Sequence, residues 1–232
     1  VLDNNVNTED SLRRRMDVVP QPQSGQISIV ADTQIQELLM SASAASADSI
    51  PKTKSTKCNR QIDPKWYKSQ SQEDKKLMEW FRNLCGGTYI EMGALNGFTF
   101  SNSHVFHKGL DWKGVMIEAS PKNYRGLKSN RPDEIATVHA GVCSEQRDLH
   151  WITPRGRIGA TDGFLEFATD EFKKRFWTED DIGRGQVVRC RTMDDILNEA
   201  VGERAFFDFY SLDIEGAELS ALYSLSFDRY HF

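Results

Sequence analysis

The sequence predicts an α/β protein: a mainly parallel sheet with helices on both faces, preceded by a polar N-terminal segment. Three observations lead there. From about Ser71 onward, short apolar runs alternate with helical patterns, as βαβ crossovers require. Two of those runs, Gly114-Val-Met-Ile-Glu118 and Phe206-Phe-Asp-Phe-Tyr-Ser-Leu-Asp213, close on an acid. All 24 aromatic residues (13 Phe, 6 Tyr, 5 Trp) lie at or after Trp66.

The chain divides accordingly. Residues 1–57 are rich in Ser, Asn, Gln, Asp and Thr and carry no aromatic. Such a segment cannot bury enough surface to offset the entropy of ordering it. It reads as a disordered polar tail or stem, with a transient helix at Thr33–Met40 that puts Ile35, Leu38 and Leu39 on one face. The folded domain is expected over 58–232.

Within that domain, Ser71 to Phe81 reads as a helix. Ser71 is its expected cap, Glu73 and Asp74 suit the positive helix start, and Leu77, Trp80 and Phe81 supply the apolar face. Gly86-Gly87 is expected to end it. Thr88–Met92 is a strand, running into Gly93-Ala-Leu-Asn-Gly97 and a helix over Phe98–Phe106. Gly114–Glu118 is a second strand, Pro121–Lys128 a helix and Ile135–Ala140 a third strand. Residues 151–185 mix turn residues with an amphipathic patch at Phe164–Phe176. Gln186–Arg191 reads as a strand and Met193–Ala200 as a helix started near Thr192. Phe206–Asp213 is the last strand, apolar on both faces as a central parallel strand would be, and Glu218–Leu225 begins a helix.

Composition narrows the function classes. Lys plus Arg total 29 against 34 Asp plus Glu, a net charge of -5, which argues against nucleic-acid phosphate as the main partner. No run nears the roughly eighteen apolar residues of a membrane span. The first residue is Val1, so the true N-terminus, with any signal peptide or anchor, is expected to lie upstream. A cytosolic extension and a secretory-pathway stem both suit the tail. Four cysteines (Cys58, Cys85, Cys143, Cys190) form no CxxC pair. Four separate thiols are the favoured reading, with one or two disulfides as the alternative.

Ligands of a parallel sheet sit beyond the carboxyl ends of its strands. Those ends are Glu91-Met92-Gly93, Glu118, Ala140-Gly141-Val142 and Asp213. The first turn holds two glycines, where a dinucleotide fingerprint needs three. Glu91 two residues ahead would repel a pyrophosphate and attract an ammonium, which points to a ligand with an amino-acid group. Glu118, 21 residues after Gly97, suits a ribose diol. Asp213, Glu215 and Glu218 make an acidic corner in which Asp213 can act as general base on a hydroxyl. A divalent cation there is the weaker reading, and no metal is expected. Glu218 is assigned to the following helix. His104 and His107 read as surface or packing residues, and His139 as a packed, hydrogen-bonded core residue.

These residues carry a resemblance. Tyr89–Ser103, Trp112–Pro121 with Asn130-Arg-Pro132 after it, and Ser211-Leu-Asp-Ile-Glu-Gly-Ala-Glu218 resemble the motifs of the FkbM-type S-adenosylmethionine-dependent methyltransferases, over about residues 66–228. The resemblance implies a Rossmann-like methyltransferase sheet. It implies that Glu91, Gly93, Ala94 and Gly97 hold the methionine end of S-adenosylmethionine, that Glu118 binds the ribose and that Ala140, Gly141 and Val142 line the adenine. Asn96, Ser101, Asn102 and Ala119, inside the same motifs, complete the implied cofactor set. Asp213, near the transferable methyl, is implied both as a cofactor-binding residue that orients the sulfonium and, with Glu215, as one of the catalytic pair. The implied acceptor is a hydroxyl of a glycan or small molecule. An NAD-linked oxidoreductase and a non-catalytic interaction module are the alternatives. Because the chain stops at Phe232, soon after the fourth core strand, the expectation is a sheet lacking its C-terminal strands.

Overall fold

The computed structural model of the protein describes residues 54–155, 161–214 and 216–232. Most of the expected tail, including its helix at Thr33–Met40, lies outside the described residues. Along the chain the elements are β1 (Thr56–Lys57), a 3-10 turn (Pro64–Trp66), α1 (Glu73–Phe81), β2 (Leu84–Cys85), β3 (Thr88–Met92), α2 (His104–Leu110), β4 (Lys113–Glu118), α3 (Pro121–Asn130), β5 (Ala136–His139), β6 (Gly141–Val142), β7 (Arg147–Ile152), β8 (Gly163–Phe164), α4 (Asp170–Phe176), α5 (Glu179–Gly183), β9 (Gln186–Arg191), α6 (Met193–Val201), β10 (Ala205–Phe206), β11 (Phe209–Leu212), α7 (Glu218–Tyr223) and β12 (Tyr230–His231).

The central sheet is four-stranded and wholly parallel, in the order β11-β3-β4-β5. Its register sets Tyr210 against Ile90, Ile90 against Val115 and Ile117 against Val138. Side chains alternate across the pleat. Ile90, Met92, Val115 and Ile117 pack with Met193, Ile196 and Leu197 of α6 and Ala221 of α7. Tyr89 and Met116 pack with Phe106 and Leu110 of α2, Leu127 of α3 and Met78 of α1. Both faces are therefore covered by helices, which is why the strands read as nearly continuous apolar runs. Glu91 and Glu118 belong to the face of Tyr89 and Met116, so both carboxylates start life beneath helices.

A second sheet, β6-β9-β7-β8, follows the third parallel strand. It is built on the antiparallel pair β7–β9, with Leu149 opposite Val188. β6 joins it in parallel, Gly141 opposite Cys190. No helix among the described residues is long and apolar enough to cross a membrane.

Several expectations are corrected. The cysteines are not separate thiols: Cys58 pairs with Cys85 and Cys143 with Cys190, each with Cα atoms 5.8 Å apart. The partners are 27 and 47 residues apart, so their meeting is set by tertiary structure, through β1 against β2 and β6 against β9. Thr56 and Lys57, at the end of the expected tail, are the residues of β1.

Ser71 does not cap α1. The N-cap is Gln72, in the left-handed region, and the Ser71 N–H instead donates to the Glu73 carboxylate at 2.8 Å. Asp74 is buried and accepts from the N–H groups of Lys68 (2.6 Å) and Ser69 (3.0 Å). The helix ends at Phe81, before the Gly86-Gly87 pair. The helix expected over Phe98–Phe106 begins only at His104, because Phe100 sits at φ 58, which an α-helix does not admit.

The strand expected over Phe206–Asp213 is interrupted after Phe206. There the Asp208 carboxylate accepts the Thr88 N–H at 2.8 Å and its own N–H donates to the Thr88 carbonyl at 2.7 Å. Its first part, β10, pairs in parallel with β12. His139 is exposed, not in the core; its ring stacks on Tyr124 at 4.9 Å between centroids.

Candidate functional site

Glu91, Glu118 and Asp213 stand at the carboxyl ends of three adjacent strands, β3, β4 and β11. The chain leaves β3 through Gly93 at φ 78, Leu95 at φ 48 and Gly97 at φ 72, a left-handed sequence that only a glycine-rich turn holds cheaply. The N–H groups of Gly93 and Ala94 both donate to the Ile117 carbonyl at 3.1 Å, which ties this turn to the neighbouring strand. Asn96 steadies the far side: its Oδ1 accepts from the N–H groups of Phe98 (3.0 Å) and Thr99 (2.7 Å).

Glu91 is buried and fully engaged. It accepts from the Asn102 N–H at 2.7 Å, from Ser101 Oγ at 3.0 Å and from Ser103 Oγ. Burial raises its pKa; the Arg131 guanidinium and the hydroxyl and amide donors oppose that. The carboxylate that the sequence aims at a ligand ammonium thus also orders Ser101–Ser103. Asn102 in turn donates from Nδ2 to Ser211 Oγ at 2.8 Å, linking the segment to β11. Its Oδ1 is buried and has no partner among the described residues.

Glu118 is buried too, and burial pushes its pKa up to about 7 against the pull of its backbone donors. Oε1 accepts the Ser120 N–H and Oε2 the Leu95 N–H, each at 2.7 Å. This second bond joins the end of β4 to the glycine turn. Ala119 is half-buried, and its carbonyl lies 3.1 Å from His139 Nε2. Ala140, Gly141 and Val142 are all buried. The ring of Phe164, on β8, lies over Gly141: a Cβ there would meet its Cζ at 2.7 Å.

Asp213 is exposed as a residue, yet its carboxyl is crowded. Partial desolvation, then the charges of Glu218 and Glu73, hold its pKa above the ordinary value. Its N–H donates to the Met92 carbonyl at 3.2 Å. Glu218 opens α7 as expected, with Oε1 accepting the N–H groups of Ile214 (3.1 Å) and Gly216 (3.2 Å). Glu215 lies outside the described residues.

Sequence reasoning missed four participants. Arg131, 1% exposed, lies beneath the turn. Glu134 pairs with it at 3.0 Å. His107 is buried, as the packing half of its surface-or-packing reading allows, but its partner was not legible: Nδ1 lies 2.9 Å from Glu134 Oε1. Asp162, raised by burial, directs its charge at Glu118. Only Arg131 left a trace, as the middle residue of Asn-Arg-Pro; composition and periodicity do not mark an arginine for burial. Two surface hollows lie away from these strand ends, one lined by Asp194, Asn198 and Arg229, the other by Arg60, Lys75 and Arg82.

The sequence model described as the methyltransferase FkbM domain matches residues 91–232, from the first strand-end acid to Phe232. No curated protein matches the chain.

Proposed function

The chain belongs to the methyltransferase FkbM domain family, and on that premise we propose that it transfers a methyl group from S-adenosylmethionine to a hydroxyl oxygen of a sugar or other small acceptor. The observation that carries this reading is the alignment of Glu91 with its glycine turn, Glu118 and Asp213 along one edge of a parallel sheet. The strand order β11-β3-β4-β5 supports it, since it is the 3-2-1-4 order of a Rossmann-like half-sheet.

The residues fit the cofactor. Each oxygen of Glu118 has one backbone donor, whereas a carboxylate has about four acceptor sites. A ribose diol therefore still finds acceptors there. Asn102 Oδ1, buried beside Glu91 and Ser211, is a ready acceptor for a ligand ammonium. Ala119, Ala140, Gly141 and Val142 supply an apolar floor for a purine. Gly93, Ala94, Asn96, Gly97 and Ser101 form the turn around the amino-acid end.

When bound, S-adenosylmethionine supplies an electrophilic methyl on a sulfonium. The chain's own work is to position and to handle a proton. Asp213 accepts the proton of the acceptor hydroxyl as the oxygen attacks; its raised pKa brings its basicity closer to neutrality. Glu215, two residues after Asp213 in the sequence, completes the proposed catalytic pair. Alignment of oxygen and methyl supplies most of the remaining effect.

Isothermal titration with S-adenosylhomocysteine, with NAD as the control, tests the cofactor. Binding of NAD but not of S-adenosylhomocysteine would sink the reading. Methyl transfer to a panel of glycans and phenols then tests the acceptor class.

A further inference from the structure

Arg131 follows α3 as its C-cap and reaches back under the glycine turn. Its Nε donates to the Gly97 carbonyl at 2.8 Å. Nη1 donates to Glu134 Oε1 at 3.0 Å, and Nη2 to Ser101 Oγ at 3.2 Å and Ser103 Oγ at 2.7 Å. Nη2 also stands 4.0 Å from Glu91 Oε2. The stem packs against the turn itself, since a Cβ on Gly97 would meet Arg131 Cγ at 2.6 Å.

We propose that Arg131 is the positioning residue of the cofactor turn: its buried fork fixes the Gly97 carbonyl and, through Ser101 and Ser103, the Glu91 carboxylate. The inference rests on the reading of that turn as the amino-acid end of the cofactor site. A planar guanidinium reaches a carbonyl, two hydroxyls and a carboxylate at once; an ammonium on a single carbon cannot. Glu134 balances the charge from below. Burial pushes Glu134 up, but His107, Arg131 and the Tyr89 hydroxyl together leave it below the ordinary carboxylate value. Glu134 also accepts the Gly114 N–H at 2.6 Å and the Tyr89 hydroxyl at 2.7 Å. One hub thus joins β3, β4, α2, α3 and the turn.

Among the charged and titratable groups, Arg131 acts on Glu91 directly; Glu134 pairs with Arg131 and is contacted by Tyr89 and His107, and His104 feels the Arg131 charge. Burial holds His104 down to about 4, so it is neutral near neutral pH. Of these, Arg131 is the cation that opposes the upward push of burial on Glu91. Arg131→Met keeps the stem and removes that cation. The Glu91 carboxyl then takes up its proton at higher pH, and a neutral carboxyl grips Ser101, Asn102 and Ser103 less firmly.

The test is made on the full chain with S-adenosylhomocysteine. Arg131→Met should bind it at least tenfold more weakly per folded molecule. The ratio of its affinity to that of the unsubstituted chain should fall further as pH drops from 8 to 6. Taking the ratio removes the pH dependence that Glu118 gives both proteins. In Arg131→Met with Glu91→Gln that extra fall should vanish. Arg131→Lys, which keeps the charge and loses the fork, should weaken binding without the extra pH dependence. Amide exchange supplies a readout that needs no cofactor: in either variant the Asn102 N–H should exchange at least tenfold faster, with β4 unchanged. Unchanged affinity together with a protected Asn102 amide in a folded Arg131→Met would overturn the proposal. So would an Asn102 amide that already exchanges like an open loop in the unsubstituted chain, a measurement that survives if neither variant folds. Failure of the unsubstituted chain to bind S-adenosylhomocysteine removes the cofactor reading and leaves the exchange arm to decide the role of Arg131.

Discussion

Gly93 and Asp213 meet backbone to backbone: a Cβ built on Gly93 would stand 1.9 Å from the Asp213 carbonyl oxygen. The contact joins the cofactor turn after β3 to the strand end that carries the candidate base. Gly93 also has φ 78, where a side chain is strained whatever the space around it.

Gly93→Ala is therefore expected to act on the fold before it acts on any ligand. A left-handed non-glycine residue costs about 1–2 kcal/mol, and overpacking against a fixed neighbour adds about 1–3 kcal/mol. Urea unfolding should show a loss of at least ~2 kcal/mol. A variant as stable as the parent, with weakened binding of S-adenosylhomocysteine alone, would show that the clash relaxes.

Glu118 predicts a pH dependence. Its pKa is raised from an ordinary 4.5 to about 7 by burial, so the folded chain holds this proton more tightly than the unfolded one. The associated stability is fully present below the unfolded value and is lost as pH rises through about 7. The span corresponds to roughly 3 kcal/mol at most. Glu118→Gln should flatten the dependence of melting temperature on pH between 5 and 7.5. Binding should run the other way: affinity for S-adenosylhomocysteine rises with pH over 6–8 as the acceptor ionises, and Glu118→Ala weakens it about ten- to a hundred-fold.

Cys143 and Cys190 close a loop of 47 residues that holds β6 against β9. Chain entropy assigns such a closure about 4 kcal/mol. Replacing both cysteines by serine should lower unfolding stability by about 2–4 kcal/mol. Reductant should destabilise the parent more than the double variant, which keeps only the Cys58–Cys85 bond to reduce. Equal stability with and without reductant would count against this.

The parallel strands were legible because burial on both faces writes itself as an apolar run: Thr88–Met92 and Gly114–Glu118 needed no tertiary information. The strand-end acids were legible for the same reason, since a charge at the end of such a run is conspicuous. What could not be read was what those acids touch. Glu91 gave no sign that Ser101, Asn102 and Ser103 would fold back onto it, and the expected helix there fails at Phe100, whose φ is positive. The disulfides were hidden likewise, because sheet pairing, not spacing, brings Cys143 to Cys190. Arg131 was hidden most deeply: the partners that make its burial tolerable lie from 3 to 34 residues away.

Glu73 opens α1, ahead of the matched family region, yet its charge acts on the Asp213 carboxyl. Desolvation is the larger cause of the raised Asp213 pKa, with Glu218 and Glu73 adding like-charge repulsion. A general base works deprotonated, so turnover should rise with pH through the Asp213 pKa. Glu73→Gln removes one repelling charge, and the acidic limb of the kcat profile should move to lower pH while the plateau stays. Asp213→Asn keeps the shape and removes the basicity; its turnover should fall by about 10²–10⁴-fold, with affinity for S-adenosylhomocysteine reduced less than in Glu118→Ala. Stopped-time methyl-transfer assays over pH 4–8, paired with titration of S-adenosylhomocysteine, measure both quantities. If Asp213 only supports the turn before α7, Asp213→Asn will cost stability and leave turnover per folded molecule intact, and Glu73→Gln will leave the acidic limb where it is.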